Sequence, residues 1–252
     1  MSLLETTEVT KQFGGLTAVD DVSLAVDRGE VQAIIGPNGA GKTTFINCVS
    51  GLLTPTSGTV VFDGEDITDE PSHERVQRGI SKSFQTASIF PDMTVEENVQ
   101  IAAFGATHGS FRFNFLKHRR DYDEVHDLTG EMLRSVDLWG ARDAEAKNLP
   151  YGDKRRLEIA IALASDPELL FMDEPTAGMS PEETEETVDL IEQLQADLGL
   201  TIVLVEHDME VIFRVADRIA VLHRGRIIAD AEPETVKDDP DVQEAYLGGV
   251  EI

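Results

Sequence analysis

The sequence predicts an α/β fold that is interrupted by a helical segment. Short apolar runs typical of buried strands alternate along the chain with segments of helical periodicity. Between Thr94 and about Asn148 this alternation stops, because the pattern there is helical with few β-branched runs. We therefore expect an α/β core that carries a helical insertion.

The first part of the core is predicted from four segments. A buried strand at Val31–Ile35 leads into a glycine-rich loop, and strands follow at Thr59–Phe62 and Ile80–Phe84. The residues Asp63 and Gly64 predict a tight turn after the second of these strands. The helix expected at Thr43–Leu52 has one apolar face, which consists of Phe45, Ile46, Val49 and Leu52.

After the insertion the alternation resumes. The pattern predicts strands at Leu169–Met172, Thr201–Val205 and Arg218–Leu222, and helices at Pro181–Leu198, Met209–Ala216 and about Asp241–Leu247. The helix at Pro181 has a clear start signal: Ser180 can cap it, proline suits its first position, and Glu183 completes a capping box.

Composition excludes several classes of protein. The 252 residues contain one cysteine, Cys48, so an internal disulfide is impossible. No apolar run approaches the ~18 residues of a membrane span, and the N-terminus lacks the pattern of a signal peptide. The net charge of −27 repels nucleic-acid phosphates. We therefore expect a cytosolic or peripheral membrane protein that does not bind nucleic acid.

The charge balance also bears on the working environment. Lysine is scarce beside abundant aspartate, which favours a halophilic protein that works in molar salt, where the Debye length falls to ~3 Å. The alternative is an acidic protein from an ordinary environment with a solvated charged surface.

The glycine-rich loop has the full phosphate-binding pattern. It runs through Gly36, Pro37, Asn38, Gly39, Ala40, Gly41, Lys42 and Thr43, with Thr44 next in the helix. Glycines let backbone N–H groups turn towards phosphates, lysine can reach the β- and γ-phosphates, and the threonine hydroxyl can bind Mg²⁺. A strand precedes the loop and a helix follows it, so this is a far better interpretation than a chance glycine-rich turn.

A pair of carboxylates follows a second buried strand. Asp173 stands where it can hold Mg²⁺ through water, and Glu174 can polarise an attacking water. The alternative is that these two acids simply end a strand and have no catalytic role. The presence of the phosphate loop makes this alternative less favourable.

With these motifs in order, the chain resembles the ATP-binding cassette of the ABC transporter family over nearly its whole length. Gln85 resembles the family's Q-loop glutamine, which binds Mg²⁺ and senses the transmembrane partner, and His207 resembles the histidine that contacts the γ-phosphate. Phe13 lies where the family stacks an aromatic ring on adenine. An ordinary core phenylalanine at a strand end is an equal alternative for Phe13.

The family's signature, Leu-Ser-Gly-Gly-Gln, corresponds here to Leu149, Pro150, Tyr151, Gly152 and Asp153. Only Leu149 and Gly152 agree with it. Pro150 lacks the serine hydroxyl and N–H, and Asp153 brings a negative charge. The resemblance then leaves the N–H of Gly152 and the positive end of the following helix as contacts to a phosphate of the partner subunit. Ser180 likewise replaces the aspartate of the family's D-loop.

The resemblance implies a P-loop NTPase core with a mixed sheet, an N-terminal antiparallel β subdomain and an inserted helical subdomain. It divides a single cassette into a core at residues 1–92 and 166–252 and a helical signature subdomain at about 93–165. It also implies ATP and Mg²⁺, a second cassette in a head-to-tail dimer, transmembrane permease subunits, and a position on the cytoplasmic face of the membrane.

Several stretches resemble the importers of branched-chain amino acids, including the Tyr151–Asp153 signature variant, the loop from Ala177 to Pro181 and the tail from Pro240. An external solute-binding protein would then act indirectly. Cassettes for urea or for lipopolysaccharide export share some of these features. Two competing hypotheses are a soluble ABC ATPase without a membrane partner, as in iron–sulfur assembly, and an interaction protein with an inactive nucleotide site.

Overall fold

The structure, a computed structural model, describes residues 2–83, 89–108 and 119–247. The chain forms two compact units. One contains Met1–Arg75 and Gln195–Ile252, and the other contains Val76–Leu194. The division that the sequence predicted, with the helical part limited to about residues 93–165, stays a prediction.

The strands are β1 (Ser2–Phe13), β2 (Leu16–Asp27), β3 (Val31–Ile35), β4 (Ser57–Phe62), β5 (Glu65–Asp66), β6 (Ile80–Ser83), β7 (Leu169–Asp173), β8 (Thr201–Val205), β9 (Arg218–His223) and β10 (Arg226–Ala231). The helices are α1 (Lys42–Val49), α2 (Ser72–Gln77), α3 (Val95–His108), α4 (Arg119–Ser135), α5 (Tyr151–Leu163), α6 (Pro181–Leu198), α7 (Met209–Val215), α8 (Pro233–Lys237) and α9 (Pro240–Leu247).

The first unit contains an antiparallel sheet with the strand order β2-β1-β4-β5. Both residues of the predicted turn between β4 and β5 have left-handed backbone angles, with φ of 49° at Asp63 and 79° at Gly64. This is the geometry of a two-residue hairpin turn. The antiparallel sheet near the N-terminus is therefore confirmed.

The same unit also contains a mixed arrangement of strands in the order β10-β9-β3-β8. The central strand β3 is parallel to β8 and β9, whereas β10 is antiparallel to β9. Apolar residues of β3, β9, α7, α8 and α9 form one core cluster. The parallel strands therefore bring their carboxyl ends to one edge, where ligands of α/β proteins usually bind.

Helix α1 is shorter than the sequence predicts. Phe45, Ile46 and Val49 are buried as expected, but Leu52 is 49% exposed. The helix ends at Val49, and Gly51 follows with φ of 75°. The expected buried position of Leu52 is wrong because this left-handed glycine turns the chain out of the helix.

The second unit combines helices with two parallel strands. Helix α3 packs against α4 and α5, and α5 also contacts β6. Strands β6 and β7 are parallel, and Ile80 is paired with Leu169. Helix α6 begins at Pro181, and its capping box is present: Ser180 N donates to Glu183 Oε2 at 2.8 Å, and Glu183 N donates to Ser180 Oγ at 3.3 Å. The helical insertion is confirmed for the described residues.

Among the described residues, no helix is both long enough and apolar enough to cross a membrane.

Candidate nucleotide-binding site

The phosphate loop joins β3 to α1, and its shape depends on glycine. Gly36, Gly39 and Gly41 have φ angles of 152°, 81° and 107°. A Cβ atom at Gly36 would lie 2.0 Å from the carbonyl oxygen of Leu222, and one at Gly41 would lie 2.3 Å from that of Ala18. No side chain fits either position. Neighbouring backbone therefore supports the loop at two points.

Lys42 is the first residue of α1 and is 7% exposed. Its ammonium group donates to the carbonyl oxygens of Gly36 at 2.6 Å and Pro37 at 3.3 Å. The first turn of α1 contains no acidic residue, so nothing there offsets the positive end of the helix dipole. Pro37, Asn38 and Gly39 lie between these supports, the last two of them exposed. The loop thus presents an accessible backbone and a held cation to an anion.

The far end of α1 is held by a buried arginine. Arg75, 1% exposed, donates through Nη1 to the carbonyl oxygens of Cys48 at 2.8 Å and Val49 at 2.6 Å. Burial lowers the pKa of this guanidinium, and nearby carboxylates oppose the shift. A cation at a helix C-terminus stabilises it, so both ends of α1 are well defined.

His207 belongs to the same unit as the phosphate loop. Val205 of β8 is paired with Ile34 of β3, so both segments follow the carboxyl ends of adjacent parallel strands. The His207 side chain is exposed, and its backbone N–H donates to Glu206 Oε2 at 3.0 Å. The structure therefore places the predicted histidine at the edge of the sheet where the phosphate loop begins.

Phe13 ends β1 in the hairpin that precedes the phosphate loop. Its side chain is 46% exposed, and the Lys11 ammonium lies 5.3 Å from the ring centroid. Phe13 is therefore not a core residue, and the core interpretation that the sequence left open is wrong. An exposed ring is compatible with stacking on a nucleotide base.

The two predicted carboxylates lie in the second unit, at the end of β7. Asp173 is 5% exposed, and its Oδ2 atom lies 3.7 Å from Nζ of Lys82 on β6. Burial lowers the pKa of Lys82, and the charge of Asp173 opposes this shift. Glu174 follows with φ of 51°, a left-handed conformation that costs about 1–3 kcal/mol in a residue other than glycine. Such strain is typical of functional positions.

Asp173 and Thr43 each carry an oxygen donor, which is the ligand type that Mg²⁺ prefers. The described residues contain no group of three or more His, Cys, Asp or Glu side chains that could hold a metal ion. Mg²⁺ usually takes one or two protein oxygens and completes its shell with phosphates and water. Asp173 offers a buried carboxylate, and Thr43 offers an exposed hydroxyl in the first turn of α1. Gln85, the third predicted ligand, lies outside the described residues.

The predicted signature stretch begins helix α5. Leu149 is buried, Pro150 precedes the helix in an extended conformation, and Asp153 is in the first turn. The hydroxyl of Tyr151 donates to the carbonyl oxygen of Ala177 at 2.9 Å. The predicted signature stretch therefore contacts the loop from Ala177 to Pro181 directly within one chain.

Gly152 has an acidic partner that the sequence did not predict. Its backbone N–H donates a hydrogen bond to the Glu183 carboxylate, and a Cβ atom at Gly152 would lie 3.4 Å from Glu183 Oε1. Hydrogen bonds from the backbone and side chain of Ser180, together with that from Gly152, hold the pKa of Glu183 below its ordinary value. Glu183 thus serves the starts of both α5 and α6. Its capping box was visible in the sequence, but its contact with Gly152 was not.

A sequence model of the ABC transporter family matches residues 19–177, and a model described as branched-chain amino acid ATP-binding cassette transporter matches residues 226–252. The chain is 39% identical, over 249 residues, to the high-affinity branched-chain amino acid transport ATP-binding protein BraF of Pseudomonas aeruginosa. That match covers 98% of each chain.

Solved structures agree with this similarity. The ADP conformation of MJ1267, an ATP-binding cassette of an ABC transporter, has a TM-score of 0.85 and 33% identity, and the match covers 98% of this chain and 99% of that one. A dimeric cassette, MJ0796, bound to ADP and phosphate after hydrolysis, has a TM-score of 0.76 and 27% identity over 91% of this chain and 98% of that one. The chain therefore belongs to the ABC transporter family, as an ATP-hydrolysing cassette similar to those of branched-chain amino acid transport.

Proposed function

We propose that this chain supplies the energy for import of branched-chain amino acids by hydrolysing ATP. The observation that carries the choice of solute is the match of residues 226–252 to the branched-chain amino acid cassettes, together with the near full-length similarity to BraF. The amino acid itself would not contact this subunit. Lipopolysaccharide export is less well supported, because its ATP-binding protein LptB from Haemophilus influenzae is 35% identical to this chain, compared with 39% for BraF, and residues 226–252 match the branched-chain amino acid cassettes.

The phosphate loop binds the triphosphate in this proposal. The ammonium of Lys42 already lies against the loop, where it donates to the carbonyl oxygens of Gly36 and Pro37. On binding, phosphate oxygens replace these neutral acceptors, so that both the donor and the acceptor of each hydrogen bond carry a charge. The backbone of residues 36–41 and the N-terminus of α1, including Thr43 and Thr44, complete the anion site. Phe13 stacks on the adenine ring.

Glu174 acts as the general base. Its carboxylate accepts a proton from water while the water oxygen attacks the γ-phosphorus, and the bond to the β-phosphate oxygen breaks to release ADP. The backbone of Glu174 is held in a left-handed conformation, which limits the directions that its side chain can take. His207 contacts the γ-phosphate and supports the developing charge, and Gln85 completes the site.

We assign Mg²⁺ binding to three side chains of this chain. Thr43, Gln85 and Asp173 would hold it, Asp173 through water. When bound, Mg²⁺ neutralises charge on the phosphates and so assists the displacement. The buried carboxylate of Asp173 supports this assignment, because a hard oxygen donor suits Mg²⁺.

The active form we propose is a dimer with a second cassette, and it couples to permease subunits at the cytoplasmic face of the membrane. An external binding protein would deliver the solute to the permease. The N-terminus of α5, with Gly152, would meet the γ-phosphate of the partner subunit. The dimeric relative with ADP and phosphate supports this assembly.

Hydrolysis is tested with Glu174→Gln, which keeps the shape of the side chain and removes the base. We expect unchanged ATP binding and turnover lower by about 10²–10⁴-fold. The matched control is Glu182→Gln, an exposed acid on α6, which should hydrolyse ATP normally. Normal turnover by Glu174→Gln would assign the base to another residue, with His207 next.

Dimer formation is tested by gel filtration of Glu174→Gln with ATP, which should trap a dimer. Adding Gly152→Asp should abolish this dimer, because the new carboxylate would repel the γ-phosphate and would also lie beside Glu183. A persistent dimer would show that this stretch does not bind the partner's nucleotide.

The solute is tested in cells that lack this chain, which should lose uptake of leucine, isoleucine and valine but retain uptake of urea.

We also infer that the protein works best in high salt. Its net charge of −27 means that acidic side chains repel one another at low ionic strength, and salt screens this repulsion. ATPase activity and thermal stability should both be higher in 2 M than in 0.1 M KCl. Equal values in the two buffers would contradict this inference.

A further inference from the structure

A buried lysine lies beside the carboxylate that we assign to magnesium. The side chains of Lys82 and Asp173 are 10% and 4% exposed, and Nζ lies 3.7 Å from Oδ2. Charged side chains are almost never buried to this extent unless they are paired. The ion pair therefore gives each of these buried charges a partner of opposite sign.

The strand register explains how the two groups meet. Lys82 on β6 is paired with Phe171 on β7, and the strands are parallel. Side chains alternate between the faces of a sheet, so Phe171 and Asp173 share a face with Lys82. The lysine stem thus runs along this face towards the carboxyl end of β7. Its cation is placed there by the backbone pairing of two strands and not by a mobile surface side chain.

We propose that Lys82 is a positioning residue of the magnesium site. Its ammonium group holds Asp173 in place when no metal is bound, and it weakens the binding of Mg²⁺ in the absence of nucleotide. The metal is then taken up together with ATP. This inference rests on the proposed function, because it takes Asp173 as a magnesium ligand.

The reason is electrostatic. An ammonium group within 4 Å of the liganding carboxylate repels a divalent cation that approaches the same oxygen atoms. The repulsion is considerable here because both side chains are buried and solvent screens them poorly. In the proposed function ATP binds together with the metal, and its negative charges then offset the repulsion. Lys82 therefore favours the magnesium–nucleotide complex over the free metal.

A purely structural ion pair makes a different prediction. Removing the charge of Lys82 would then reduce stability but would leave the affinity for a divalent metal unchanged. Lys82→Met keeps the length of the side chain without its charge, and Lys82→Gln also keeps a hydrogen-bond donor for Asp173. Lys82→Arg keeps the charge and is the matched control.

The test uses Mn²⁺ as the probe and the full-length chain at pH 8, with bound metal measured by electron paramagnetic resonance. Without nucleotide, Lys82→Met and Lys82→Gln should bind Mn²⁺ about tenfold or more tightly than the wild type, and Lys82→Arg should remain close to the wild type. With a non-hydrolysable ATP analogue, the difference between wild type and Lys82→Met should shrink.

Two outcomes would overturn the inference while leaving the proposed function intact. One is that folded Lys82→Met and Lys82→Gln bind Mn²⁺ as weakly as the wild type, and the other is that Lys82→Arg tightens binding equally. Thermal unfolding of each variant shows that it is folded. Asp173→Asn distinguishes a failure of this inference from a failure of the proposed metal site. Nucleotide-dependent Mn²⁺ binding that survives this change would overturn the assignment of Asp173 as a magnesium ligand.

Discussion

The residues that precede α1 and α5, Gly41 and Pro150, make no side-chain capping hydrogen bond, yet the loops before the two helices are held in different ways. Before α1, backbone carbonyls lie so close to Gly36 and Gly41 that no Cβ atom fits. Before α5, the chain is extended at Pro150, Gly152 has no left-handed angle, and the side chains of Tyr151 and Glu183 make the contacts. One loop is built from backbone and the other from side chains.

This difference explains why one motif matches its family's pattern in full and the other does not. A loop held by backbone contacts requires glycine at particular positions, because any side chain there would collide with a carbonyl group. A loop held by side chains needs only suitable partners, which other residue types can supply. Pro150 and Asp153 can therefore stand in the signature stretch while α5 still begins at Tyr151.

The largest expected contrast is between alanine at Gly36 and alanine at Gly152. At Gly36 the new Cβ would lie 2.0 Å from a carbonyl oxygen, so we expect a loss of about 3 kcal/mol or more in unfolding free energy, together with loss of ATP binding. At Gly152 the new Cβ would meet only the Glu183 side chain at 3.4 Å, so stability should change by less than about 1 kcal/mol. Urea denaturation measures both, and similar losses would break the distinction between the two loops.

A smaller effect is expected for Lys42→Ala. The backbone of the phosphate loop remains, but one charge-assisted contact to the phosphates is lost, at about 1.5–3 kcal/mol or about ten- to hundredfold in affinity for ATP. Titration calorimetry with ATP measures this loss. The control is Lys147→Ala, because Lys147 is an exposed residue whose ion pairs with Asp92 and Glu145 contribute little. Wild-type affinity in Lys42→Ala would contradict the assignment of the loop.

The smallest effect concerns the side chain that holds the start of α5. The pKa of Glu183 is lowered in the folded protein, so its stabilising contribution is present above the unfolded pKa and is lost as pH falls through the folded pKa. We therefore expect Glu183→Gln to be less stable than the wild type at pH 7 and the difference to narrow towards about pH 4.

Urea midpoints of the two proteins at several pH values measure this narrowing. Glu182→Gln removes the same charge from the same helical turn and is the matched control for the loss of charge alone. A constant difference between wild type and Glu183→Gln across the whole range would show that the charge of Glu183 does not hold α5.

Most elements of the α/β core could be predicted from the sequence. Strands β3 and β8 and helix α6 have the predicted bounds, and β7, β9 and α7 differ by one residue at one end. The exposure of Leu52 could not be predicted, because apolar periodicity continued past the glycine that ends α1. The exposure of Phe13 was open as well, since an aromatic residue at a strand end suits both a core and a binding surface.

By itself the sequence determined the phosphate loop and the start of α6, because the contacts that define each are made within a few consecutive residues. The required glycines, the lysine and the capping box can be seen as patterns in the chain. Only the tertiary structure decided that Lys82 neutralises Asp173 and that Glu183 holds Gly152. These pairs join residues far apart in the chain. For Lys82 and Asp173, burial makes a charged partner necessary without specifying which residue provides it. Strand register and helix packing made that choice.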